Sequence, residues 1–114
     1  VDQRRTVTII LGANNQIKWF HGLIETPEAG GAPQSSTYGK EGIRKEILKR
    51  VVSVPQVTGD KEKGLIVIIK PTKKATYRNL VDILDEMAIC KVPTYAIVND
   101  IPPAEQKLVD EMNK

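Results

Sequence analysis

Hydrophobic residues, many of them β-branched, dominate two short segments near the start of the chain, residues 6–11 and 17–21. A polar stretch with Asn14 and Asn15 separates them, and asparagine tolerates the positive φ angles that a tight connection requires. The pattern therefore predicts two antiparallel strands joined by a short turn. We interpret Trp19 as a packing residue. We assign no metal or catalytic role to His21, because no second histidine or carboxylate cluster lies near it in sequence.

The hydrophobic pattern breaks off over residues 22–38, where prolines and glycines follow one another without periodicity. We predict a long loop here and interpret it as mobile. A helix should follow, with Ser36 or Thr37 as its N-cap. The narrow apolar stripe of this helix consists of Ile43, Ile47, Leu48 and Val51. A second loop is predicted over residues 52–64.

The longest apolar run, residues 65–69, suits a strand that is buried on both faces. Hydrophobic residues then recur at helical spacing, and Thr76 is placed to cap the first turn of a helix. The apolar stripe of this helix consists of Tyr77, Leu80, Val81, Leu84, Met87 and Ala88. The opposite, solvated face is predicted to carry Arg78, Asn79, Asp82, Asp85 and Glu86. Pro93 ends the unit, and residues 94–98 are predicted to form a second strand, which gives a right-handed βαβ unit with parallel strands.

Pro103 is placed to open a last helix. The buried stripe of that helix would consist of Leu108, Val109 and Met112. These elements predict a single domain of the α/β (α+β) class, with two or three helices packed on one face of a mixed four- to five-stranded sheet. The parallel pair in that sheet is expected to be residues 65–69 and 94–98.

The 114 residues suffice for one domain with a single core. The net charge of +3 is modest, although basic residues concentrate in 40–50 and 60–74 and acidic residues in 76–90 and 100–114. The single cysteine, Cys90, cannot form an intramolecular disulfide, a usage typical of reducing compartments. We expect it to be largely buried and unreactive. Because the chain begins at Val1 without an initiating methionine, we expect it to be a piece of a longer or processed protein.

No motif indicates catalysis, so we predict that the protein is not an enzyme and uses no cofactor or metal. Residues 59–64 look like a phosphate loop, but a strand follows them where the Walker motif requires a helix. Asp82, Asp85 and Glu86 lie on the predicted solvated face, where we interpret them as surface carboxylates and not as an acid/base or metal cluster.

Five lysines cluster around one predicted strand. They are Lys61, Lys63, Lys70, Lys73 and Lys74. Few aromatic residues and no RNP-like or G-x-x-G signature accompany them, so we do not predict nucleic-acid binding. An alternative function stays open here: a small cytoplasmic α/β binding module with a basic patch for nucleic acid or another acidic partner.

The segment IVIIKPTKKATYRNLVDILDEMAICKVPTYAIVND resembles the periplasmic domain of the ExbD/TolR family of biopolymer-transport proteins, and is closer to the ExbD-like members. The positions that match the family pattern are Tyr77, Leu80, Val81, Ile83, Leu84, Asp85, Ile89, Val92 and Val98. The early segment TIILGANNQIKWFHG is similar to the first strand pair of the family. Three features depart from the pattern: no glycine precedes the last strand, residues 22–38 form a longer loop, and a helix follows Pro103.

The resemblance implies an accessory subunit of a proton-motive-force-driven motor that supports TonB-dependent or Tol-type transport across the outer membrane. Its implied partners are a second copy of the chain, an ExbB/TolQ-type inner-membrane channel subunit, and a TonB-like or TolA-like energy transducer. The parent protein would be a single-pass inner-membrane protein with this domain in the periplasm. It would contact the membrane only through a transmembrane helix that this chain does not include.

An open mixed sheet leaves edge strands whose main-chain groups can bind another chain. Because the family resemblance implies both a homodimer and a TonB-like peptide partner, we predict that the last strand lies at or next to such an edge and carries the contact. The residues assigned to this contact are Thr94, Tyr95, Ala96, Ile97 and Val98. Because side chains alternate along a strand, we expect only one of the two sets to face the core.

Overall fold

The computed structural model describes residues 5–22, 34–39, 41–59, 64–101 and 103–113. Within these ranges the chain forms one mixed five-stranded sheet and three α-helices, which confirms the predicted fold class. The strands are β1 (Thr6–Leu11), β2 (Ile17–His21), β3 (Gln34–Ser36), β4 (Ile66–Pro71) and β5 (Thr94–Ile97). The helices are α1 (Ile43–Thr58), α2 (Tyr77–Ile89) and α3 (Pro103–Met112).

The strands of the sheet lie in the order β3-β2-β1-β4-β5. β1 pairs antiparallel with β2 and parallel with β4, and β4 pairs parallel with β5. The predicted hairpin and the predicted parallel pair are both confirmed. In the hairpin connection, Asn14 and Asn15 have φ angles of 57° and 61°, in the left-handed region that asparagine tolerates better than most residues.

Each face of the sheet has its own hydrophobic cluster, because alternate residues of a strand point to opposite faces. Val7, Ile9 and Leu11 of β1 belong to the larger cluster, together with residues of α1 and α2. Ile10 belongs to a smaller cluster, which also contains Phe20 and residues of α3. α1 and α2 therefore cover one face, as predicted for two helices, and α3 covers the other. We call these the two-helix face and the α3 face.

The start of α1 differs from the prediction that Ser36 or Thr37 caps it. Ser36 lies in β3, and the helix begins at Ile43. The amide nitrogen of Ile43 donates to the carbonyl oxygen of Thr37 at 2.7 Å, so a backbone group caps the first turn. A Cβ atom on Gly42 would overlap this carbonyl group, which explains why glycine precedes the helix.

The end of α1 also differs, because the helix continues through residues that were predicted to form a loop. Pro55 lies inside it, although proline supplies no amide hydrogen for a helical bond. Val54 is fully buried in the larger cluster, and this packing outweighs the weak local helix propensity. The helix ends at Thr58, and Gly59 follows as a left-handed C-cap. Gly59 has a φ of 72°, and its amide nitrogen donates a hydrogen bond to the Pro55 carbonyl oxygen.

β3 is a short strand within residues 22–38, where an uninterrupted loop was predicted. Gln34–Ser36 pair antiparallel with β2. Three consecutive polar residues give no alternating pattern, so only the main-chain pairing with β2 defines this strand. The rest of the predicted mobile loop, residues 23–33, lies outside the described part of the chain.

The N-terminus of α2 confirms the predicted cap. The Thr76 hydroxyl accepts from the Asn79 amide nitrogen at 3.1 Å, and the Asn79 side-chain oxygen accepts from the Thr76 amide nitrogen at 3.0 Å. The two bonds form a capping box, which satisfies two otherwise unpaired backbone donors.

The buried face of α2 was predicted only in part: Met87 is buried and Leu80 and Leu84 pack against the larger cluster, but the centre of the buried face is displaced from the predicted stripe. Asn79 and Glu86 are buried beside Ile83 and Met87, whereas Tyr77 is 82% exposed. Both polar side chains have partners on other elements. The side-chain nitrogen of Asn79 donates to the side-chain oxygen of Asn15 at 2.8 Å, and Glu86 forms an ion pair with Arg44 of α1. Such partners make the burial of polar groups tolerable.

α3 packs with the predicted stripe inward, since Leu108, Val109 and Met112 are all buried. Asn113 fixes its C-terminal end by accepting from the Ala13 amide nitrogen at 2.9 Å and donating to the Thr72 hydroxyl at 3.1 Å. These bonds join the end of the chain to the segments that follow β1 and β4.

A buried ion pair connects α3 to β4. The Lys70 ammonium lies 2.7 Å from a carboxylate oxygen of Glu105, and both side chains are about nine-tenths buried. The prediction that β4 is apolar and buried on both faces is therefore wrong for the α3 face. The Val67 and Ile69 side chains are buried on the two-helix face, while Ile66 and Ile68 on the α3 face are only half-buried.

Candidate functional site

β5 is an edge strand with exposed residues throughout. No described strand pairs with its outer side, and all four residues from Thr94 to Ile97 are exposed. Val98, the fifth predicted contact residue, follows the strand and is half-buried. The predicted edge position of this strand is thus present in the fold.

The main-chain groups of β5 alternate between β4 and the open side. The Val98 amide nitrogen donates to the Ile69 carbonyl oxygen at 2.9 Å, which places Val98 among the residues that bond to β4. Because bonding direction alternates along a strand, Ala96 also bonds inward, and the amide and carbonyl groups of Tyr95 and Ile97 point outward. These outward groups form a template for an additional strand.

The side chains of β5 also differ from the expectation that one alternating set would be buried. Tyr95 and Ile97 lie opposite Val67 and Ile69, so they point to the two-helix face, yet they are 47% and 45% exposed. Ala96 lies on the α3 face and is exposed as well. Neither set is buried, because β5 lies at the rim of the sheet and the apolar cluster beneath α3 draws on β1 and β2.

One flank of α2 extends this apolar rim. Glu86 contacts Arg44, which defines the flank of α2 that faces α1. At 100° per residue, the opposite flank contains much of the apolar stripe recognised in the sequence. Its residues are Tyr77, Leu80, Val81, Leu84 and Ala88. The βαβ topology places this flank on the same side of the sheet as Tyr95 and Ile97. We refer to β5 and this flank of α2 together as the edge surface.

The acidic residues of α2 lie on the other flank, at a cavity of about 310 Å³ between α1 and α2. Arg44 donates to Glu86 with 2.6 Å between Nε and Oε1, and this hydrogen bond raises the pKa of the Arg44 guanidinium. At the same cavity, burial and then the Asp82 carboxylate raise the pKa of Tyr38 to about 12. Glu86 therefore serves an interhelical ion pair and is not the surface carboxylate that was predicted.

No metal centre is evident in the described ranges, where no three His, Cys, Asp or Glu side chains converge. His21 lies at the end of β2. Of the predicted lysine cluster, Lys73 and Lys74 are exposed, whereas the Lys70 ammonium is buried against Glu105. Lys61 and Lys63 lie outside the described part of the chain, so the cluster is not shown as one continuous patch.

Cys90 is buried, with 2% of its surface exposed, as predicted. Its Sγ atom lies 3.9 Å from the Arg44 carbonyl oxygen. Burial, and then the Glu86 carboxylate, raise the pKa of the Cys90 thiol, while Arg44 acts in the opposite direction. Both accessibility and protonation should therefore keep this sulfur unreactive.

We expect a thiol reagent such as DTNB to label native protein at pH 8 at least about a hundredfold more slowly than denatured protein, because labelling requires local opening. The raised pKa of the Cys90 thiol also makes the free energy of unfolding depend on pH. The contribution of the protonated thiol to stability is complete below the pKa of the unfolded thiol and is lost as pH rises through the folded pKa. The urea midpoint of unfolding should therefore fall above about pH 9. A Cys90→Ala variant is the control for this pH dependence. Equal labelling rates in native and denatured protein would contradict the assignment.

None of the described helices has the length and apolar character that a bilayer span requires. The sequence identified the residues of β5 but not their exposure on both faces, and it gave no signal for the Arg44–Glu86 pair beyond the charges themselves. Comparisons of the chain with protein-family models, with curated proteins and with solved structures find no match.

Proposed function

We propose that this chain is the periplasmic, partner-binding domain of an accessory subunit of the ExbD/TolR type, which supports TonB-dependent or Tol-type transport driven by the proton motive force. Its role is to bind proteins and not to catalyse a reaction. The observation that carries this proposal is the open β5 edge, with outward main-chain groups at Tyr95 and Ile97 and exposed side chains on both faces.

The resemblance in sequence supports the proposal through the same segment. The residues that match the family pattern lie in α2, in the segment that follows it and just beyond β5. In the proposed complex, an ExbB/TolQ-type channel subunit lies in the membrane beside the parent protein. A TonB-like or TolA-like transducer, or a second copy of this chain, supplies an extended segment to β5.

Strand addition sets requirements on that segment. Main-chain bonds to Tyr95 and Ile97 supply affinity independently of sequence, and alternate side chains supply specificity. Residues of the added strand that lie beside Tyr95 and Ile97 would pack against the apolar flank of α2. We therefore expect apolar residues at every second position on that side of the bound segment.

An Ile97→Pro variant tests the outward main-chain groups. Proline at this position removes an amide that points away from β4, so the ladder between β4 and β5 keeps its bonds. We expect folded protein that loses at least about tenfold in affinity, because one backbone carbonyl of the added strand would lose its donor and remain unpaired in the complex. The probe is a set of overlapping peptides from the periplasmic region of the TonB-like protein encoded in the same genome, titrated by NMR. Sedimentation equilibrium measures self-association in parallel.

An Ile97→Ala variant is the matched control, because it removes the side chain and keeps the amide. We expect a loss of at most about fivefold, in the range of one cross-strand pair. The Ala96→Pro variant, in contrast, should disrupt the pairing of β5 with β4 and reduce stability. If folded Ile97→Pro protein retained full peptide binding and full self-association, the β5 edge would not be the binding site.

A further inference from the structure

A second cavity, of about 500 Å³, lies at the carboxyl ends of β4 and β5, bordered by the turn into α2, the segment after β5 and α3. Its lining includes Thr72, Lys73, Lys74, Asn99, Ile101 and Val109. In open α/β sheets, ligands bind outside the carboxyl ends of the parallel strands. The volume is within the range of small-molecule sites.

The charges around this cavity favour an anion. Lys73 and Lys74 are adjacent and exposed, and no ion pair of the described residues includes them. The one carboxylate in the lining, Asp110, accepts a hydrogen bond from the Gln106 side-chain amide at 2.8 Å. The lining therefore contains two ammonium groups and one carboxylate that is already hydrogen-bonded, an excess of one positive charge among the lining residues.

The walls of the cavity are held in place by bonds between distant parts of the chain. The Thr72 amide nitrogen donates to the Leu11 carbonyl oxygen at 3.0 Å, and the Thr72 hydroxyl accepts from Asn113 of the segment after α3. Ile101 and Val109 belong to the apolar cluster beneath α3 and provide an apolar wall. A site with fixed walls requires little ordering when a ligand binds.

We propose that this cavity binds a small organic anion, with a carboxylate or phosphate group at Lys73, Lys74 and Asn99 and an apolar portion against Ile101 and Val109. Flexible ammonium groups beside an amide donor suit a compact anionic group. The cavity is at the end of the sheet, whereas the proposed partner contact follows the outer side of β5. The two proposals can therefore fail separately.

The test is an NMR titration of ¹⁵N-labelled protein with six-carbon probes that differ in the head group: hexanoate, hexyl phosphate, hexanol and hexylammonium. Inorganic phosphate and acetate measure the head group alone. We expect the two anionic probes to shift the amide signals of residues 72–75 and 99–101 with a millimolar Kd. Hexanol and hexylammonium should bind at least about tenfold more weakly, because the charge-assisted bonds are absent.

A Lys73→Gln/Lys74→Gln double variant should weaken hexanoate binding at least about tenfold, while its unchanged spectrum away from the cavity shows that it is folded. The matched control is Lys45→Gln/Lys49→Gln, which removes the same charge from exposed positions of α1 on the two-helix face. It should change Kd less than about twofold, as expected for screened distant charges. Equal weakening in both variants, equal binding of hexylammonium, or no shifts with either anion would overturn the proposal.

Discussion

Replacing Glu105 by alanine should lower the free energy of unfolding by about 3 kcal/mol, at the lower end of the cost of breaking a buried ion pair. The change leaves the Lys70 ammonium buried beneath α3 without its carboxylate partner, which lies 2.7 Å away in the structure. The lower end applies because each side chain of the pair keeps about one-tenth of its surface exposed, so water can reach the unpaired ammonium. Urea unfolding followed by circular dichroism, at one fixed protein concentration, measures the change.

Two variants test whether burial of the ion pair causes the loss of stability expected for Glu105→Ala. Glu111→Ala removes the same charge from an exposed position of the same helix and should change stability by less than about 0.5 kcal/mol. The double variant Lys70→Met/Glu105→Leu replaces both partners by apolar side chains and should recover most of the loss. A cost below about 1 kcal/mol for Glu105→Ala would show that the pair behaves as a solvated surface salt bridge.

Replacing Trp19 by alanine should cost about 3 to 5 kcal/mol, the usual range for removing a buried aromatic residue. Trp19 is 1% exposed and belongs to the larger cluster between the sheet and the two helices. The guanidinium carbon of Arg50 lies 4.4 Å from the centre of its ring, so the indole also contributes a cation–π contact to α1. Such a loss is a large part of the stability of a typical domain, and urea unfolding followed by circular dichroism measures it.

The matched control for Trp19 is Tyr77→Ala. Tyr77 is aromatic and was predicted to be buried, but it is 82% exposed, so its removal should change stability by less than about 0.5 kcal/mol. If Trp19→Ala leaves too little folded protein to measure, Trp19→Phe provides a milder test and should still be destabilising. Equal effects of Trp19→Ala and Tyr77→Ala would contradict the assignment of the core.

The local elements could be predicted where their signal is contained in neighbouring residues. Thr76 caps α2 because its hydroxyl reaches an amide three residues away, and Asn14 and Asn15 adopt the positive φ angles that their own side chains tolerate. The parallel pairing of β4 with β5 follows from the helix between them, which returns the chain to the end of the sheet where β4 begins. The edge position of β5 was predicted differently, from the edges that any open sheet leaves and from the family resemblance.

The predictions that failed depend on contacts that the local side-chain pattern does not reveal. The first turn of α1 is capped by the carbonyl group of Thr37, and no side-chain pattern indicates a backbone cap. α1 extends past Pro55 because Val54 packs into the core, although the local sequence disfavours a helix there. At the end of α1, a tertiary contact therefore outweighs a local preference.

The sequence by itself determined the order of the elements, the hairpin, the βαβ unit and the amphipathic character of α2, because hydrophobic periodicity and capping act over a few residues. The tertiary structure alone decided which faces of α2 and β4 are buried. Glu86 turns inward because Arg44 of another helix meets it, and Lys70 is buried because Glu105 of α3 neutralises it. Of the predicted apolar stripe of α2, Tyr77 is consequently exposed, whereas Met87 lies in the larger cluster and Leu80 and Leu84 pack against it. Periodicity indicates that a helix has an apolar side, but only the positions of distant charged partners fix what that side contacts.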